Sequence, residues 1–467
     1  MKIKQPLLPR QEEAVEKLRH IKIGALYMEM GTGKTITALS LIARRMNAGK
    51  VDRVLWLCPC SIKGDIAASI AKHSDLAVPQ LTICGIETLS SSVRENSRLL
   101  EMVKDGKTFL VVDESSLVKN PFALRSINIT RIASACPYKL ILNGTPISRN
   151  MADLFSQWYL LDWRILGYRS YYTFEANHVE YDPNRPGRIR RILHPDYLAE
   201  KIAPYTYECR QSDCFTLPEK RRAESKFQLT SRQYEHYNEI ADALLLMLDE
   251  RRPETIYRLF SALQSITAGY RITLHGDTSS RETMFPDPTE NPRMQELAEV
   301  IEKSNEQQII FARNVDDIKN IVAYLNGIKP ESAVPFYGEV PQKKRQEAIE
   351  KFRAGAQFLV ANKACGAFGL NLQFCHRLIY YDNDWDWGTR SQSEDRVYRY
   401  GQTQDVEIVD IIAANTIDVT ILDCLMRKES LSDRFKSELH TANGKKKLKD
   451  LIGGKCYGKD LPKQERV

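Results

Sequence analysis

The chain has 467 residues, of which 43% are hydrophobic and 27% charged, and a net charge of +7. That length exceeds one ordinary core and suits two or three domains, and the composition excludes a disordered or fibrous chain. The opening MKIKQPLLPR lacks an apolar signal core and no run reaches membrane-spanning length, so a cytoplasmic protein without a membrane partner is expected.

In chain order, short apolar runs alternate with helical patterns over the first two hundred residues. VLWLCP (Val54–Pro59), FLVVDE (Phe109–Glu114) and YKLILNGTP (Tyr138–Pro146) read as buried parallel strands ending in functional loops. Ser231 to Arg271 reads as strongly helical, and GDTSSRETMFPDPTENP after it reads as a flexible loop. A second α/β series begins near Asn291 with QQIIFAR, AVPFYG, QFLVAN, RLIYYD and VEIVDIIAA. The ten cysteines form no repeating framework, which fits reduced thiols. Cys58 and Cys60 lie in a strand pattern, and Cys209 with Cys214 has no second close pair, so no structural zinc is expected. The segment from Thr441 to Val467 holds eight Lys/Arg against three acids. It reads either as a solvated tail or as an auxiliary contact to nucleic acid phosphates.

Two segments carry the chemistry. In EMGTGKT (Glu29–Thr35), Gly31, Thr32 and Gly33 form a loop whose backbone N–H groups approach phosphate oxygens. Lys34 can reach the β- and γ-phosphates, the Thr35 hydroxyl can ligate Mg²⁺, and the helix that starts there adds its positive end. The strict eight-residue phosphate-loop pattern has glycine where Met28 stands. In VVDESS, Asp113 ends a buried strand and would hold Mg²⁺, while Glu114 would orient and deprotonate an attacking water. The second segment, QSEDRVYRYGQ (Gln392–Gln402), offers Arg396 and Arg399, three residues apart and so on one face of a helix.

These residues resemble superfamily-two helicases, and specifically the SWI/SNF-type ATPases, from about Pro9 to Thr416. PRQEEAV resembles the adenine-reading segment, with Gln11 as the recognising side chain. NGTPISRN resembles the third motif at Gly144, Thr145 and Pro146. GAFGLNL resembles the fifth, and Gly369 is counted there among the nucleotide-binding residues. Gln392, Asp395, Arg396, Arg399, Gly401 and Gln402 match the sixth motif. The resemblance implies that Arg396 and Arg399 are arginine fingers, with Gln392 in the catalytic set. Such arginines neutralise charge developing on the γ-phosphoryl group. The chain departs from the family at Ser115–Ser116, where Ala-His or Ala-Asp is usual, and at Ala367, where a glycine is common. Without reading modules or long insertions, it is similar to minimal prokaryotic or viral members. The host cytoplasm is its expected place if viral.

With no base-reading motif visible, contact with a track is expected through phosphates. Candidates at strand ends are Ser61 and Lys63, Thr145, Arg313 and Asn314, and Lys363. RPGRIRRI, with Arg188 and Arg190, reads as a charged hairpin or as a basic prong touching DNA. Trp385 and Trp387 read as core residues rather than base-stacking platforms.

The reading is an α/β fold of two RecA-like lobes, each a parallel sheet flanked by helices, with a small helical insertion. Lobe 1 spans residues 1–210, the insertion and linker 211–290, lobe 2 291–440, and a basic tail 441–467. The expected function is a DNA-dependent ATPase using ATP and Mg²⁺ to translocate on, remodel or unwind duplex or branched DNA, for which a monomer suffices. The alternatives are an RNA-directed motor and a DNA-binding scaffold with weak ATPase activity.

Overall fold

The computed structural model describes residues 1–144, 151–181, 189–246, 253–275, 278–362, 372–427, 431 and 444–453, the side chains of 253–256, 342, 444 and 445 excepted. The described chain divides into two compact units, Met1–Thr216 and Leu217–Val467.

The first unit is built on β1 (Ile23–Met28), β2 (Arg53–Cys58), β3 (Leu81–Gly85), β4 (Thr108–Val112), β5 (Tyr138–Asn143) and β8 (Thr206–Cys209). They form one six-stranded sheet in the order β3-β2-β4-β5-β1-β8, and every pairing is parallel. The strands are near-continuous apolar runs because both faces are covered. Ala25, Tyr27, Leu55, Leu57, Leu110, Val112 and Ile141 pack into one cluster, and Leu26, Met28, Val54, Trp56, Phe109, Val111 and Leu140 into the other. Between β5 and β8, a short antiparallel pair joins β6 (Val179–Tyr181) to β7 (Ile189–Ile192).

The second unit holds β9 (Lys220–Phe227), the hairpin β10 (Tyr270–His275) and β11 (Thr278–Thr283), then β12 (Gln308–Ala312), β13 (Ala333–Phe336), β14 (Phe358–Asn362), β15 (Arg377–Tyr380) and β16 (Val406–Ala413). Its main sheet runs β13-β14-β12-β15-β16-β9, again with parallel pairings throughout. Beside it, helices Ser231–Leu246, Pro253–Thr267, Ile417–Arg427 and Gly444–Ile452 share one apolar cluster.

Three sequence expectations are corrected here. The segment expected to be a flexible loop after His275 contains β11, paired residue for residue with β10. KRRAESKF, which falls in the span 211–290 expected to be insertion and linker, is an edge strand of the second sheet, laddered along its whole length with β16. The charged end does not begin as a solvated tail: in Gly444–Ile452, Leu448, Leu451 and Ile452 are buried. The Tyr237 hydroxyl donates to the Ile452 carbonyl at 2.7 Å. Lys446 and Lys449 on this helix are exposed, and the residues after Gly453 lie outside the described residues.

Candidate nucleotide site

Strands β4, β5 and β1 are neighbours in that order, so their carboxyl ends bring three loops together: Asp113–Glu114, Asn143–Gly144 and Glu29–Thr35. This is the edge of an open parallel sheet where ligands bind. Gly31 and Gly33 take φ of 81° and 92°, the left-handed region that admits glycine without a Cβ penalty. At Gly33 a Cβ would lie 2.1 Å from Gln11 Nε2. The carboxamide of Gln11 is buried and braces the loop, donating to the Thr32 carbonyl at 2.9 Å and accepting from Leu8 N–H at 3.0 Å. The Thr32 hydroxyl donates to the Glu29 carbonyl at 2.7 Å. Thr35 sits half-buried in the first turn of helix Lys34–Asn47.

Met28 explains the departure from the strict glycine pattern. It is the last residue of β1, with its side chain in the core and its carbonyl accepting from Lys34 Nζ at 2.7 Å. Lys34 also reaches the third loop, because a methyl group placed on Gly144 would lie 3.7 Å from Nζ. A brace the sequence did not reveal comes from Gln211. Its N–H donates to Glu29 Oε2 at 2.8 Å and its Nε2 to the Met30 carbonyl at 2.6 Å.

Asp113 N–H donates to the Leu57 carbonyl at 2.8 Å, which fixes the side chain at the buried tip of β4. Burial, then the neighbouring Glu114 charge, pushes its carboxyl up to about 7, against the pull of Lys34. Glu114 itself has φ 49° and ψ 53°, a conformation that few non-glycine residues adopt and that clusters at functional sites. Its N–H donates to Asp113 Oδ1 at 3.0 Å. The next residue, Ser115, is buried; its hydroxyl donates to Gln157 Oε1 at 2.6 Å and accepts from Asn143 Nδ2 at 3.5 Å. Gln157 lies on helix Leu154–Leu166, so the serine that departs from the family pattern ties the Asp-Glu turn to that helix and to the end of β5.

In the second unit, Gln392 is half-buried on helix Trp387–Glu394. Arg396 and Arg399 do not share a helical face, contrary to the spacing argument. The helix ends at Glu394, Arg399 N–H turns back to the Val397 carbonyl at 3.1 Å, and Leu372 N–H bonds the Arg396 carbonyl at 3.0 Å. Arg396 is 6% exposed, and burial pushes the Arg399 guanidinium down from its ordinary value. The helix before them is anchored by Arg390, buried over the Tyr380 ring, which donates to Asp410 Oδ1 at 2.6 Å and to Glu394 Oε1 at 2.8 Å.

Thr145, Arg188, Lys363 and Gly369 lie outside the described residues. Ser61 and Lys63 are exposed just past β2. Arg313 instead donates to Gln264 Oε1 at 2.5 Å. Asn314 donates to Asp317 at 2.8 Å and accepts from Arg281 at 3.1 Å. Arg190, although exposed, pairs with Glu180 at 3.1 Å. Trp385 stacks on Tyr257, with ring centroids 5.9 Å apart.

Residues 69–277 match the SNF2-related domain, and residues 292–401 match the helicase conserved C-terminal domain. The chain belongs to the SNF2-related helicase family. Within that family it is 24% identical to the "Uncharacterized ATP-dependent helicase YqhH" of Bacillus subtilis (strain 168), over 92% of this chain and 80% of that protein. It is 26% identical to "Zorya protein ZorD" of Escherichia coli O139:H28, over 70% of this chain but 31% of that longer protein. Among solved structures, the "Sulfolobus solfataricus SWI2/SNF2 ATPase core in complex with dsDNA" aligns at 22% identity and a TM-score of 0.41, covering 96% of this chain and 97% of that one. The SNF2-related match includes Asp113, Glu114 and Ser115, and the helicase C-terminal match includes Gln392, Arg396 and Arg399.

Proposed function

We propose that this chain is a DNA-dependent ATPase that converts ATP hydrolysis into translocation on, or remodelling of, duplex or branched DNA. The observation that carries the reading is the meeting of three loops at adjacent strand ends: Gly31–Thr35 after β1, Asp113–Glu114 after β4 and Gly144 after β5, with Lys34 reaching between them. Backbone N–H groups of the glycine loop and Lys34 would bind the phosphates, and Gln11 would read the adenine. The Thr35 hydroxyl and the Asp113 carboxylate are hard oxygen donors of the kind Mg²⁺ takes, and a buried carboxyl raised by desolvation is a group that a cation would relieve. Mg²⁺, when bound, neutralises phosphate charge. Glu114, held at positive φ on the same turn, would take the proton of the attacking water. Arg396, Arg399 and Gln392 enter on their sixth-motif match as charge-stabilising groups.

Among the candidates on described residues, Ser61 and Lys63 are the best phosphate contacts, because they are exposed while Arg313, Asn314 and Arg190 already have protein partners. A triplex-displacement assay tests the motor. ATP should release a third strand from a duplex with wild-type protein and fail to do so with Glu114→Gln. Release without ATP, or equal release by Glu114→Gln, contradicts coupling of hydrolysis to movement.

A further inference from the structure

The turn after β8 carries a thiol pair that the proposed hydrolysis does not use. Cys209 ends β8 and Cys214 ends the one-turn helix Gln211–Cys214, and their sulfurs lie 2.9 Å apart. Both are free thiols, Cys209 buried and Cys214 half-buried. A disulfide has its sulfurs at about 2.05 Å, so a shift of about 1 Å would close the bond. The same turn holds the phosphate loop: the Cys209 carbonyl accepts from Glu29 N–H at 2.9 Å. Gln211, between the two cysteines, grips Glu29 and Met30. A covalent change at this turn therefore acts on the loop through two residues.

We propose that Cys209 and Cys214 are a reversible oxidation site, a dithiol that a peroxide-class oxidant converts to a disulfide, and that the disulfide weakens nucleotide binding. The second half rests on the nucleotide-site reading; the first does not. Cys214 is the more exposed sulfur, and burial pushes the Cys209 thiol up to about 12, so Cys214 meets the oxidant first. The Cys214 thiolate attacks one peroxide oxygen, the O–O bond breaks, and water leaves, giving the sulfenic acid. The Cys209 thiolate then attacks the Cys214 sulfur, the S–S bond forms, and hydroxide departs with a proton as a second water. Two electrons pass from the two sulfurs to the peroxide, and a dithiol reductant reverses the change. Closing the bond draws helix Gln211–Cys214 towards β8. Gln211 moves with that helix, and its bonds to Glu29 and Met30 carry the shift to the loop that receives the phosphates.

The test uses the full chain. It is treated with hydrogen peroxide, alkylated and digested with trypsin, which cuts after Arg210 and leaves the two cysteines on separate peptides unless they are bonded. The expected result is a Cys209–Cys214 linked pair that forms before other cysteines react, is lost in Cys214→Ser and Cys209→Ser, and is reversed by dithiothreitol. A fluorescent ATP analogue should bind the oxidised protein roughly three-fold or more weakly. Its affinity for peroxide-treated Cys214→Ser should not change. Linkage elsewhere, or sulfinic acid with no link, overturns the site. A clean link with unchanged or tighter nucleotide binding overturns the coupling. If the link forms and neither redox form binds nucleotide, the nucleotide-site reading is what fails.

Discussion

The residue whose environment says most is Asp113. Its carboxyl is raised because burial and the Glu114 charge both penalise ionisation. The protonated form is therefore favoured below about 7, and the cost that ionised Asp113 adds to the folded state is relieved as pH falls through that value. A cation needs the carboxylate, so affinity for Mg·ATP should rise with pH through about 7, and binding near pH ~6.5 should release a proton. Calorimetry in two buffers of unlike ionisation enthalpy reads that proton, and equal heats in both would contradict the assignment. Lys34→Ala should abolish hydrolysis, because the developing phosphate charge loses its fixed counter-charge. Glu114→Gln should bind ATP and hydrolyse it very slowly; turnover near wild type would remove Glu114 from its role. The positions of Lys34 after a glycine turn and of Glu114 past a buried strand were legible from the sequence. Gln211 was not, because its partners Glu29 and Met30 are more than 180 residues away in the chain and no local pattern encodes them.

Among the elements, buried strands declared themselves and polar ones did not. The Val/Ile/Leu runs of β2, β4, β5, β12 and β14 to β16 are read directly because both faces of each sheet are covered. β11 carries charged and hydroxyl side chains that face water, and β9 spends its polar ones on partners, Lys220 and Arg222 on buried Glu394 and Ser225 on Glu296, so neither shows an apolar run. Arg396 and Arg399 had helical spacing but sit in turns after Glu394, since spacing cannot see where a helix is terminated by contacts from another loop. Their assignment makes a sharp prediction. Arg399→Ala should cut turnover ~10³-fold or more while nucleotide affinity falls far less. Arg396→Ala should do the same and also lower thermal stability, because that side chain is buried. Normal hydrolysis in both variants would end the finger assignment. The chain's charged end divides the same way. Deleting residues 454–467 should weaken DNA binding and leave the melting temperature in place if the contact lies there. Deleting 444–467 should lower the melting temperature by several degrees, because Leu448, Leu451 and Ile452 leave the core. Equal melting temperatures would contradict the packed helix.

For the whole molecule, two α/β series in the sequence become two parallel six-stranded sheets in two units. The unit boundary at Thr216–Leu217 was less legible, because the strand that opens the second unit, β9, pairs with β16 nearly two hundred residues later. Among the described residues no helix is long and apolar enough to cross a membrane. Electrostatics frames the track. Binding through phosphates should weaken steeply with salt and depend little on sequence, since counterions are released and no base-reading element is present among the motifs. The most direct measurement is steady-state ATP hydrolysis with no nucleic acid, then with single-stranded, duplex, forked and four-way DNA, and with RNA. Duplex DNA should raise turnover, branched DNA should raise it at least as much, and Glu114→Gln should stay flat throughout. Turnover indifferent to every DNA but raised by RNA would contradict the account.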